Sequence, residues 1–139
     1  MNIKKSNFID TGLLILRLGL GIIMFFHGLP KLAGGIEVWN GIGSSMSNFG
    51  INFAPQFWGF MAAFAETIGG LFFAMGLFHR LSSFLLSGTM LVALVMHINK
   101  GDSFQVYSHA LSLLVVFLAC IITGPGVYSL DRRFIPRIS

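Results

Sequence analysis

Charge is scarce in this chain. Nine Lys and Arg and five Asp and Glu are its charged side chains, 10% of 139 residues. A soluble domain carries about 25%, and a small one needs polar side chains to cover a surface that is large for its volume. That scarcity excludes a soluble cytosolic enzyme, a nucleic-acid binder and a disordered chain. Cysteine is nearly absent too. A lone Cys120 excludes an intrachain disulfide and a redox cysteine pair, and inside an apolar run it reads as a buried, inert thiol. There is no glycine-rich dinucleotide fingerprint and no c-type haem attachment motif. Alternation of apolar and polar residues is also missing, which excludes a membrane β-barrel.

What the sequence does have is long apolar stretches. Apolar residues make up 55% of the chain, with 15 Phe and 17 Gly, and the mean hydropathy is +0.81. A membrane-crossing helix needs about 20 mostly apolar residues. Four runs qualify, at about 11–32, 55–78, 81–99 and 104–123. The short links after the second and third runs require antiparallel neighbours. The expected fold is therefore all-α, a polytopic antiparallel four-helix bundle forming one domain, with 124–139 as a cytoplasmic tail. Between the first two spans, Trp39, Ile42, Met46, Phe49 and Phe53 recur at helical steps, which predicts a short amphipathic helix in the membrane interface. A loop dipping its aromatics into the headgroups is the alternative. Arg17 interrupts the first run and no small-residue cleavage site follows it, so this span is expected to be retained rather than removed as a signal peptide.

Ionisable groups at membrane depth are costly and usually functional. Arg17, His27, Lys31, Glu66, His97 and His109 are of this kind. At about 100° per residue each shares a stripe with small residues, such as Gly21 and Gly28, Gly69 and Gly70, or Ser83. Small residues let helices approach closely in lipid, so all four stripes are expected to face the bundle interior. By depth, His27, Lys31, His97 and His109 should converge in one leaflet with Glu66 beneath them. Arg17 should lie about a turn and a half to the other side, within reach of Glu66. Imidazoles exchange protons near neutral pH, and Phe57, Trp58, Phe60, Phe64, Phe72 and Phe73 could enclose a flat ring. The arrangement suits proton exchange with a lipid-soluble carrier such as a quinone, with Glu66, His97 and His109 as catalytic groups and Arg17, His27 and Lys31 binding the carrier. A bis-histidine haem b is the less favoured cofactor and no metal is expected. The bland alternatives are a Glu66 that pairs with Arg17 or a histidine to fix helix register, and a Lys31 and Lys100 that snorkel.

Three motifs carry a family resemblance. Leu16-Arg17-Leu18-Gly19-Leu20-Gly21 is followed by His27-Gly28-Leu29-Pro30-Lys31-Leu32. Glu66-Thr67-Ile68-Gly69-Gly70 precedes Gly76-Leu77-Phe78-His79-Arg80, and Gly124-Pro125-Gly126-Val127-Tyr128-Ser129-Leu130-Asp131-Arg132-Arg133 closes the chain. In this order and spacing they resemble the DoxX family. The resemblance implies a bacterial inner-membrane protein of four spans with links to redox physiology, including quinone-linked oxidoreductases. It carries Arg17, Gly21, Gly28, Lys31, Glu66, Gly69, Gly70 and Arg80 as matching positions. His97 falls where the family often has a histidine, while His27 is less typical.

Two functional classes follow. One is a quinone-linked redox module acting with a partner protein that supplies electrons. The other is a non-enzymatic membrane scaffold, assembly factor or small-molecule transport component. The lipid bilayer is a partner of either, and a homodimer through the small-residue faces is compatible with both.

The cationic residues also orient the chain. Lys4, Lys5, Arg17, Arg80, Arg132, Arg133 and Arg137 lie toward the side of the termini, against Lys31 and Lys100 on the other. The positive-inside rule then places both termini in the cytoplasm. A reporter fused to the C-terminus is expected to work only in the cytoplasm; activity confined to the outside would reverse the orientation.

Overall fold

A computed structural model describes residues 3–135. Arg137 lies outside the described residues, as do the side chains of Lys4 and Lys5. Four helices are long and apolar enough to cross a membrane, and no strand occurs among the described residues. The chain is an all-α polytopic membrane protein.

The first span is α1 (Ile3–Ala33), and α2 (Gly35–Gly43) follows, continuing into a 3-10 turn over Ser44–Phe49. The second span is composite. It comprises α3 (Pro55–Phe64), a π turn over Ala65–Gly69 and α4 (Gly70–Met75). The third and fourth spans are α5 (His79–Asn99) and α6 (Phe104–Thr123), and a short α7 (Leu130–Phe134) lies beyond them.

Residues 33–54 do form the predicted helix, but a shorter one, Gly35–Gly43. It packs on α3, where bare backbone allows a very close crossing. A Cβ at Gly43 would run into the Pro55 carbonyl, and one at Gly59 into that of Trp39. Trp39 is the anchor. Its indole N–H donates to the Lys31 carbonyl at 3.0 Å, and its ring meets Phe60 edge-on at 5.1 Å.

The second span ends three residues earlier than its apolar run. Gly76 takes the left-handed conformation (φ 65°), and the Gly76 and Leu77 N–H groups bond back to the Phe73 and Phe72 carbonyls, a glycine stop for a helix. The third span then starts two residues earlier than its apolar run, at His79. Its free N-terminal N–H groups find a distant cap. The Asp131 carboxylate accepts from Phe78 N–H at 2.7 Å and His79 N–H at 2.8 Å. The stretch expected as a tail is thus, as far as Ile135, folded back onto the bundle.

Span one packs on span two, span two on span three, and α5 on α6. The contact of α1 with the second span is nearly backbone to backbone. Gly21 faces Ala74 and the Gly70 carbonyl, and Gly28 faces Thr67 and Glu66. In lipid, where apolar surface gains nothing by leaving the solvent, such close van der Waals approach is what holds helices together. The centre is filled by Met24, Phe73, Leu86, Met90, Leu113, Phe117 and Cys120.

The interior stripes are as expected on α1 for Arg17, Gly21, Met24 and Gly28, and on span two for Gly59, Ala63, Glu66, Gly69 and Gly70. On α6 the expectation fails. Gln105, His109, Ser112 and Thr123 are exposed, while Ala110, Leu113, Phe117 and Cys120 point inward. The reason is packing: Phe117 meets Phe73 edge-on at 5.2 Å in the centre, and seating that ring turns the polar stripe outward.

The glycine contacts yield a paired prediction. Gly28→Ala puts a Cβ 2.5 Å from the Thr67 backbone nitrogen and hydroxyl and should destabilise the bundle by about 1–3 kcal/mol. Gly19 meets nothing within 4 Å, so Gly19→Ala should be neutral or stabilising by up to about 1 kcal/mol. Unfolding in mixed micelles measures both, and equal effects would contradict the packing.

Candidate functional site

Glu66 sits inside the second span on the π turn. π turns interrupt α-helices chiefly at functional positions, because they redirect side chains and loosen the backbone ladder. Thr67 uses its hydroxyl locally, donating to the Ala63 carbonyl at 2.7 Å. Facing the turn is Gly28, whose missing side chain lets α1 come against it. One helical turn further along α1, Lys31 donates from Nζ to Glu66 Oε2 at 2.6 Å. The Glu66 side chain is 5% exposed and that of Lys31 36%. A buried carboxylate is therefore joined to the surface by a single flexible cation. Both ends of that cation are fixed, one by the carboxylate and the other by the Trp39 bond to its carbonyl.

The histidines arrange themselves differently from the sequence expectation. His27 and His109 do come together, with ring centroids 6.3 Å apart across the seam between α1 and α6, but both are exposed there. They form the outer lip of the seam, not the bundle interior. His97 turns to the α5–α6 link, where its Nδ1 lies 2.7 Å from Asp102 Oδ2. This local pair belongs to the turn that joins the two helices.

Arg17 needs a correction. It was expected to reach toward Glu66. Fourteen residues separate it from Lys31 on one helix, about 21 Å of rise, and Lys31 already holds Glu66. Arg17 instead donates from Nη2 to the Tyr128 carbonyl at 2.8 Å, and its guanidinium rests on Gly76, where any Cβ would collide with it. It is 1% exposed and belongs to a second polar layer at the end where the termini lie. That layer also holds Asp131, buried and bonded to the start of α5, and Asp10, which accepts from Val127 N–H at 3.0 Å. His79 completes it. The imidazole is 1% exposed and stacked on Phe73 at 4.7 Å, with no hydrogen-bond partner for either ring nitrogen among the described residues.

Sequence reasoning missed His79, Asp131 and Asp10. His79 read as a linker residue because Arg80 follows it. The signal for Asp131 was Ser129-Leu130-Asp131, a helix-start pattern: the Ser129 hydroxyl accepts from Arg132 N–H at 3.3 Å. What Asp131 caps lies 52 residues earlier, beyond the reach of any local pattern.

The aromatic residues do not form a common slot. Phe57, Phe60 and Phe64 are exposed, with Phe60 and Phe64 stacked at 6.1 Å, while Phe73 is wholly buried in the core. Among the described residues no three His, Cys, Asp or Glu gather into a metal-binding set.

Fold and site together define a class: a small four-span membrane protein with a carboxylate–ammonium pair held between its first two spans. The comparisons narrow that class. The DoxX family model matches residues 12–98, and the chain belongs to the DoxX family. It is 30% identical over 126 residues to "Inner membrane protein YqjF" of Escherichia coli (strain K12), covering 88% of this chain and 92% of that protein. It is 29% identical over 122 residues to "Putative oxidoreductase CatD" of Bacillus subtilis (strain 168), covering 88% and 86%. No solved structure is significantly similar to it.

Proposed function

We propose that this DoxX-family protein is a redox-linked module of a bacterial inner membrane, with both termini in the cytoplasm, that binds a quinone or similar lipophilic carrier and exchanges its protons. The observation that carries the reading is the Glu66–Lys31 pair on the π turn. A buried carboxylate whose counter-ion reaches the surface can take up and release a proton as the cation swings away. The names of the two relatives, "Inner membrane protein YqjF" and "Putative oxidoreductase CatD", support the location and a redox link.

In this reading the ring of the carrier lies in the α1–α6 seam, its oxygens hydrogen-bonded by His27 and His109. Lys31 stabilises charge that develops on them. Reduction of a quinone to a quinol consumes two electrons and two protons. The protons pass through Glu66, and the electrons come from a partner protein, because this chain has neither a dinucleotide fingerprint nor a cysteine pair. His97 lies at the same end of the bundle, bonded to Asp102.

The test uses purified full-length protein. A solvent extract should contain quinone, and Glu66→Gln should abolish quinone-dependent proton exchange while leaving the protein folded. Full retention of exchange in the variant, or a pocket holding only phospholipid, would favour the scaffold or transport class instead.

A further inference from the structure

The end of the bundle that carries the termini has a second built site. Residues 124–135 are tied down there at three points: the Tyr128 carbonyl by Arg17, the Val127 N–H by Asp10, and Asp131 by the first N–H groups of α5. Between this strap and the bundle lies a cavity of about 650 Å³, lined by Ile9, Asp10 and Leu13 of α1, Arg80 of α5, and Gly126 and Arg132 of the strap. Gly126 (φ 78°) lets the strap approach α1, since even a Cβ there would lie 3.2 Å from Asp10 Oδ1.

The cavity has an excess of positive charge. Neither Arg80 nor Arg132 forms an ion pair with a carboxylate among the described residues. The nearby acids are directed elsewhere: Asp10 Oδ1 accepts from the Val127 N–H, and both Asp131 oxygens accept from the start of α5. Two guanidiniums on one cavity suit the fork geometry of a phosphate. The opposite wall, on α1, sets the apolar side chains of Ile9 and Leu13 beside Asp10, and it continues onto exposed apolar α1 surface, with Ile9 59% and Phe8 79% exposed. A cationic head region with an apolar flank matches an amphiphile better than a free anion. Basic cavities between spans at the cytoplasmic side are where acidic lipid headgroups bind.

We propose that this cavity binds a phosphate-bearing anion, and that its source is the headgroup of an anionic phospholipid of the inner leaflet, with an acyl chain along Ile9 and Leu13. The choice of leaflet rests on the orientation proposed above. The site itself is independent of the quinone reading, and the binding test requires neither.

Native mass spectrometry of the full-length protein in detergent, with added phosphatidylglycerol or phosphatidylcholine, reads the site directly. Phosphatidylglycerol should bind roughly tenfold or more tightly than phosphatidylcholine, and R80Q/R132Q should erase that preference. R80K/R132K should keep part of it, and Lys100→Gln, at the far end, should change nothing. Undiminished preference in a folded R80Q/R132Q protein would overturn the proposal. Displacement of the lipid by millimolar inorganic phosphate would also overturn it, in favour of a soluble ligand. If R80Q/R132Q does not fold, the wild-type protein decides: phosphatidylglycerol binding that weakens as salt rises supports the site, and salt-independent binding overturns it.

Discussion

A carboxylate inside a membrane has to be held by something, and here Lys31 holds it. Removing two charges from water costs several kcal/mol for each ion even after relaxation, and only close pairing with further hydrogen bonds offsets that cost. The 2.6 Å contact between Lys31 and Glu66 meets the first need, and its consequences spread through the half of the molecule away from the termini. To reach Glu66, the end of α1 must lie against the π turn, which requires Gly28 to have no side chain. To stay there, Lys31 needs its backbone fixed, which the Trp39 indole does from α2. The helix between spans one and two is thus the brace that keeps the ion pair closed.

At the opposite end α1 repeats the device with different partners. Arg17, about 21 Å further down the same helix, meets the Tyr128 carbonyl of the chain's last segment. The two cations divide α1 into two fastened ends. Between them the packing is bare backbone, Gly21 against Gly70 and Ala74. One end closes on a buried carboxylate–ammonium pair, the other on a strap whose cavity is lined by two guanidiniums. Distinct chemistries can then coexist in a bundle of this size, because the apolar layer of Met24, Phe73, Leu86 and Phe117 separates them.

Much of this architecture can be read in the sequence. Apolar run length identifies the four spans, the tight links make them antiparallel, and Glu66 stands out because nothing else acidic lies mid-span. Rotation about a helix axis is harder to read. Where every face of a span is apolar, periodicity does not say which stripe the neighbours will cover, so the outward turn of Gln105, His109 and Ser112 became visible only with Phe117 seated on Phe73. Partner choice is harder still. Arg17 and Lys31 lie on one side of α1, and by depth Arg17 falls within reach of Glu66. The π turn, the bare Gly28 and the Trp39 anchor bring Lys31 there instead. Asp131 shows the limit most plainly, since an N-cap supplied from 52 residues away leaves no trace in the residues it caps.

Lys31 and Glu66 act as one unit, and a double-mutant cycle on the protein's stability in mixed micelles tests that most directly. Lys31→Met strands a buried carboxylate and should cost up to about 3 kcal/mol, toward the low end for a broken buried pair because Lys31 is a third exposed. Replacing Glu66 with Met as well should restore most of that loss, giving a coupling energy of about 1 kcal/mol or more. Single and double variants whose effects simply add would show that the two charges are independent, and would contradict the account.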